Sequence, residues 1–123
     1  MIRSRPLRTL ATLTALGFAT ATPADAAALY FVRLEVKTAS EATCYRFAQD
    51  AARSVGLTNV RRGPLEVAGQ KSGVYLSTTC VGRGQARVMA VVMATSDSFP
   101  AAQQVATEFA NKLGGIICFD TPC

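Results

Sequence analysis

The chain has 123 residues, a net charge of +5 at neutral pH and no histidine. Without an imidazole, Ser-His-Asp triads and histidine-ligated metal sites are excluded, and the sequence contains no cofactor-binding motif. The positive excess is modest, whereas nucleic-acid-binding proteins concentrate it in a patch, so we expect no nucleic-acid partner.

The first 26 residues have the pattern of a secretory signal peptide. Three arginines precede an apolar run of 12 residues at positions 10–21, and the small residues of Ala24-Asp25-Ala26 follow. A transmembrane helix needs roughly 20 apolar residues, so we expect cleavage after Ala26, or alternatively after Ala28. The sequence therefore predicts a periplasmic or secreted protein, free of the membrane after cleavage, with one domain over 27–123.

The start of this domain predicts a strand and a helix. Apolar and charged residues alternate over 29–37, which is typical of a half-buried strand. Thr38 and Glu41 have the spacing of a capping box, so we expect a helix that starts after Thr38 and stops at Gly56. The apolar face of this helix comprises Cys44, Phe47, Ala48, Ala51 and Val55.

The rest of the domain predicts three strands and a second helix. Ser98 is expected to cap this helix, with Pro100 in its first turn and a Glu108–Lys112 pair on its exposed side. We expect a loop over 58–64, strands over 65–70, 74–81 and 86–95, and turns over 71–73 and 82–85.

These elements predict an α+β two-layer sandwich with the order β-α-β-β-β-α. Each helix has one apolar face, and both faces are buried if the helices pack on one side of a four-stranded, mainly antiparallel sheet.

Four cysteines in an exported chain predict disulfide bonds. Cys44 on the first helix and Cys80 on a strand can meet across the core, which leaves Cys118 and Cys123 to close a short C-terminal ring. The main alternative pairs Cys44 with Cys118 and Cys80 with Cys123. We favour structural disulfides over a redox couple, because the Cys118–Cys123 spacing is not C-x-x-C and nothing nearby lowers a thiol pKa. A zinc site is disfavoured because two of the cysteines are isolated in sequence.

The last strand is apolar on both sides, so one of its sides is a candidate interface formed by Met89, Val91 and Met93. If the helices cover the other side, this face is exposed and fits an unknown protein partner or a homodimer. The alternative is that residues 116–119 cover it.

Four arginines in two predicted loops form a candidate patch for an anionic ligand, provided that the loops meet. The alternative interpretation is ordinary solvated charge. These residues are Arg61, Arg62, Arg83 and Arg87.

The chain weakly resembles a class of small exported bacterial α+β proteins of uncharacterised function. The resemblance depends on Cys44-Tyr45-Arg46-Phe47-Ala48, Gly56-Leu57, Val67-Ala68-Gly69, Cys80 and the strand over 88–94. It implies an exported fold and carries over no active site.

We therefore expect a non-catalytic binding or interaction module that is stabilised by disulfides and needs no metal or cofactor. The alternative is a thiol-disulfide redox protein that uses Cys118 and Cys123.

Overall fold

The computed structural model describes residues 27–118. The expected signal peptide over 1–26 and the tail over 119–123, with Cys123, lie outside the described residues. The described elements are β1 (Ala28–Val36), α1 (Glu41–Ser54), β2 (Thr58–Arg62), β3 (Val67–Lys71), β4 (Val74–Val81), β5 (Val88–Ser96) and α2 (Phe99–Gly115).

The strands form one antiparallel sheet in the order β1-β5-β4-β3-β2. The predicted α+β class is confirmed, but the prediction of four strands is wrong, because residues expected to be a loop form β2. This edge strand was hard to predict because only Val60 among its side chains is half-buried. Asn59 has a positive φ of 52°, and the pairing register shifts between Thr58 and Arg61.

The N-cap of the first helix lies two residues later than the predicted N-cap, Thr38. Ser40 is the N-cap, and its hydroxyl accepts a hydrogen bond from the backbone N–H of Thr43 at 3.2 Å. Thr38 instead accepts from the N–H of Ser40 and is buried. Glu41, freed from the expected capping box, accepts from the N–H of Gly82 at 2.6 Å. The start of α1 is thereby joined to the β4–β5 loop.

The predicted turn and cap in the second half are confirmed. Ser72 and Gly73 both have positive φ values and join β3 to β4 as a two-residue hairpin turn. Ser98 caps α2, and Pro100 lies in its first turn. Glu108 does not pair with Lys112 as expected; its carboxylate lies 3.4 Å from Nζ of Lys71.

The buried side chains form one cluster to which both helices and all the strands except β2 contribute. Both helices bury a stripe of side chains that includes Phe47 on α1 and Phe109 on α2. Along β4 and β5 every second residue is buried, as one-sided packing requires. No helix within residues 27–118 combines the length and apolar character needed to cross a bilayer.

A disulfide bond between Cys44 and Cys80 joins α1 to β4 through this cluster. Both cysteines are buried, and the bond closes a sequence separation of 36 residues. The alternative that pairs Cys44 with Cys118 is therefore wrong. Cys118 is itself disulfide-bonded, while the predicted ring to Cys123 reaches outside the described residues. A disulfide is consistent with an oxidising exported compartment.

Two polar side chains also fix α1 against the sheet. The buried Tyr45 hydroxyl lies 2.9 Å from the carbonyl oxygen of Leu65 and 3.3 Å from that of Cys80, to which it can donate. At the other end of the helix, Nζ of Lys71 donates to the carbonyl oxygen of Val55 at 2.8 Å. The orientation of α1 is therefore set by the disulfide and by hydrogen bonds at both ends.

Replacing both Cys44 and Cys80 by alanine should lower the free energy of unfolding by roughly 3–4 kcal/mol, because the unfolded chain loses a long closed loop. Urea unfolding followed by circular dichroism measures this change. Reduction of the wild-type protein should shift the midpoint in the same direction. An unchanged midpoint in the double variant would contradict a stabilising role for the bond.

Thr78→Val should raise the free energy of unfolding by about 1 kcal/mol, since a buried hydroxyl without a partner costs about this much. Thr78 is fully buried, and its Oγ1 has no hydrogen-bond partner among the described residues. Thr78→Ser is the matched control, because it keeps the hydroxyl and removes the methyl group, and it should be destabilising. Chemical unfolding of both variants provides the measurement, and a less stable Thr78→Val would contradict the argument.

Candidate functional site

One face of the sheet carries large apolar side chains that remain exposed. We call this the outer face; it comprises the alternate residues of each strand that point away from the buried cluster. The exposed fractions are 55% for Leu29, 56% for Phe31, 63% for Tyr75 and 42% for Met93. Exposed apolar side chains that share one face are typical of a binding surface.

The three residues of the candidate interface lie on this outer face. Met89, Val91 and Met93 alternate along β5 with buried residues. Met93 is exposed, whereas Met89 and Val91 are half-buried between neighbouring strands. In the alternative interpretation residues 116–119 cover them. Ile116 packs against the buried cluster, and Phe119 lies outside the described residues.

One cross-strand row runs across the outer face from β2 to β1. Successive pairings place Ala68 beside both Arg61 and Ser77, and Met93 beside both Ser77 and Phe31. We call Arg61, Ala68, Ser77, Met93 and Phe31 the central row. It has a cation at one end, two small residues next and two large apolar residues at the other end.

A groove of about 660 Å³ lies over much of the central row. Ala68 and Ser77 have short side chains, so they form a low floor. Tyr75 and Leu29 border the groove on one side, and Asn59 on β2 borders it at the sheet edge. The groove volume is within the range of pockets that bind small organic molecules.

The groove is apolar with one charged side chain. Its polar lining consists of Asn59, Arg61, Gln70, Ser77 and Thr95. Within residues 27–118 no carboxylate forms an ion pair with Arg61. This arrangement can bind a ligand through apolar contact, hydrogen bonds and one positive charge.

The four candidate arginines lie in two separate places. Arg83 and Arg87 meet at Glu35 on β1, whose carboxylate oxygens lie 3.2 Å and 3.6 Å from their guanidinium nitrogens. Arg61 and Arg62 lie on β2, at the opposite edge of the sheet. The guanidinium of Arg62 stacks on the ring of Tyr45, with its carbon 3.7 Å from the ring centroid. Arg61 is therefore the member of the four that lines the groove.

A further arginine adds positive charge to the outer face. The guanidinium carbon of Arg33 lies 5.9 Å from the ring centroid of Phe31, within the range of a cation–π contact. Among the described residues, the outer face thus has cations at both edges, and Glu35 is already engaged by two arginines.

No three His, Cys, Asp or Glu side chains within residues 27–118 cluster closely enough to hold a metal ion. The described cysteines Cys44, Cys80 and Cys118 are all disulfide-bonded.

Sequence analysis missed the residues that shape the groove. Ala68 is small and apolar and Ser77 is small and polar, and neither belongs to a recognisable sequence motif. Their alignment with Arg61 in one cross-strand row could be predicted only if β2 was recognised, and the β-branched Val60 between polar residues was the available signal. Tyr75, Leu29 and Phe31 were accessible to prediction through the alternation of their strands.

No known family model, curated protein or solved structure matches this chain. The resemblance to small exported α+β proteins therefore stays a prediction, and the function is argued from the geometry of the outer face.

Proposed function

We propose that this protein is an exported, non-catalytic binding module that holds an apolar ligand on the outer face of its sheet. The observation that carries the proposal is the set of four large apolar side chains, Leu29, Phe31, Tyr75 and Met93, that are each more than two-fifths exposed on this face. Leaving this much apolar surface in water is unfavourable, and occupation by a ligand would remove the cost.

A two-layer sandwich supports this proposal. In that arrangement both helices are used on the buried face, so the described part of the chain leaves the outer face open. The chemistry of the groove also favours binding over catalysis, because apolar contacts outnumber polar groups and Arg61 is its one charged residue.

A separate ligand fits the outer face better than a second copy of the chain. A symmetric dimer packed through this face would bring Arg33 and Arg61 of both copies into one interface, and such a concentration of like charge is unfavourable. Glu35 offers little compensation, because it is already paired with Arg83 and Arg87.

Export is supported by the N-terminal pattern and by the Cys44–Cys80 disulfide. We expect the protein recovered from the periplasm or medium to start at Ala27, since signal peptidase cuts after small residues. Intact-mass measurement, with and without reductant, tests processing and oxidation together. A recovered protein that retains residues 1–26 would contradict cleavage.

The outer face should bind the neutral apolar dye Nile red, and Met93→Glu should weaken this binding roughly tenfold, because the new carboxylate must stay hydrated. Ala68→Leu should also weaken binding, since it fills the groove floor without adding charge. Fluorescence titration provides the dissociation constants.

Gln103→Glu is the matched control for the added charge, because Gln103 is exposed on α2, which packs against the other side of the sheet. This variant should bind the dye as the wild type does. Equal binding by all variants would contradict the proposal. A wild-type dimer in sedimentation that dissociates on Met93→Glu would also overturn it, because the face would then belong to a second copy.

A further inference from the structure

We infer that the ligand is an amphipathic monoanion, specifically a free alkyl carboxylate, whose head group binds Arg61 and whose chain lies along the central row. This inference rests on the proposed function of the outer face. It adds the chemical class of the ligand and its direction in the groove.

The order of side chains in the central row gives the direction. Arg61 lies on the edge strand β2, and Met93 and Phe31 lie at the opposite end on β5 and β1. Ala68 and Ser77 lie between these two ends, and their short side chains leave space for an alkyl chain to lie flat on the sheet. Five strands place these ends roughly 19 Å apart, because neighbouring strands are separated by about 4.8 Å. The row therefore matches an elongated molecule that is charged at one end.

The charge of the groove favours a monoanion. Arg61 is its one ionised residue, and no carboxylate of residues 27–118 pairs with it. A guanidinium can donate two parallel hydrogen bonds to a carboxylate. The amides of Asn59 and Gln70 line the same groove and can donate further hydrogen bonds. A doubly charged phosphate would have one excess negative charge without a partner in this lining.

The opposite end of the row is suited to the alkyl chain. Met93 is unbranched and adapts its shape to a flexible ligand. Tyr75 and Leu29 line the groove beside this path, on the next cross-strand row. Phe31 lies beyond the groove lining at the end of the row, where the Arg33 guanidinium carbon is 5.9 Å from its ring centroid. A ligand with a longer alkyl chain should therefore gain contact area with the sheet until that alkyl chain reaches β1.

The experiment is displacement of Nile red by octanoate, decanoate and dodecanoate, each below its micelle concentration and above pH 7. We expect each added methylene to tighten binding roughly twofold, because a chain that lies flat on the sheet buries about half of the surface of each methylene. Dodecanol is the neutral comparison, and it should bind more weakly than dodecanoate.

Arg61→Gln should weaken dodecanoate binding about tenfold, the loss typical of a hydrogen bond to a charged group. It should leave dodecanol and Nile red unchanged. Arg46→Gln is the matched control, because it removes the same charge from the exposed surface of α1, and it should leave all three affinities unchanged. Circular dichroism confirms that both variants are folded.

Several outcomes would overturn the inference. The first is equal affinity for dodecanol and dodecanoate. The second is an equal loss of dodecanoate affinity in Arg61→Gln and Arg46→Gln. The third is that the protein sediments with anionic lipid vesicles to the same extent with and without Arg61→Gln. If Nile red binds at the outer face and carboxylates do not displace it, the ligand class is wrong and the proposed function stands. If Nile red itself does not bind there, both fail.

Discussion

The architecture depends on the width of sheet that two helices can cover. A helix with its side chains is about 10 Å in diameter, and four gaps of about 4.8 Å make the sheet roughly 19 Å wide. Two helices side by side therefore suffice for one face, and the described chain contains no third. The strand order reinforces this division, because α1 must carry the chain from the β1 edge to the β2 edge, while α2 packs back on β1 and β5. In the two-layer arrangement that we propose, one face of the sheet is therefore buried and the other is exposed to solvent.

The attachment of α1 explains why the polar contacts of the molecule concentrate around that helix. Its buried stripe includes three alanines, Ala48, Ala51 and Ala52, which bring the helix close to the sheet but bury little area each. The Cys44–Cys80 bond offsets this small area by restricting the unfolded chain. Tyr45 and Lys71 then fix both ends through carbonyl oxygens, and the stacking of Arg62 on Tyr45 connects the helix to β2. The strand that carries Arg61 is thus held by contacts made on the buried face.

Most of the fold was accessible from the sequence, since it follows from local patterns. Alternation in β4 and β5, the cap at Ser98 and the turn at Ser72-Gly73 are each set by a few neighbouring residues. The misplaced N-cap at Thr38 arose because Ser40 satisfies the same chemistry two residues later. β2 could not be predicted from its own residues, because it is held by its pairing with β3 and by the stacking of Arg62 on Tyr45, and a local sequence pattern shows neither contact. The groove was inaccessible for the same reason, since its shape depends on the register of five strands.

The distribution of apolar residues between the two faces is the strongest argument that the outer face has a function. A chain selected for stability alone would bury its largest side chains and expose its smallest. Here β5 buries Ala90 and Ala94 under the helices, while its neighbour β1 exposes Phe31 on the other side. Tyr75 is likewise exposed beside the fully buried Val74. Natural sequences depart from such a rule mainly where function requires it. Phe31 and Met93 are aligned with Ala68, Ser77 and Arg61 across five strands, and no carboxylate of residues 27–118 pairs with Arg61. This alignment supports the proposal of a ligand on the outer face.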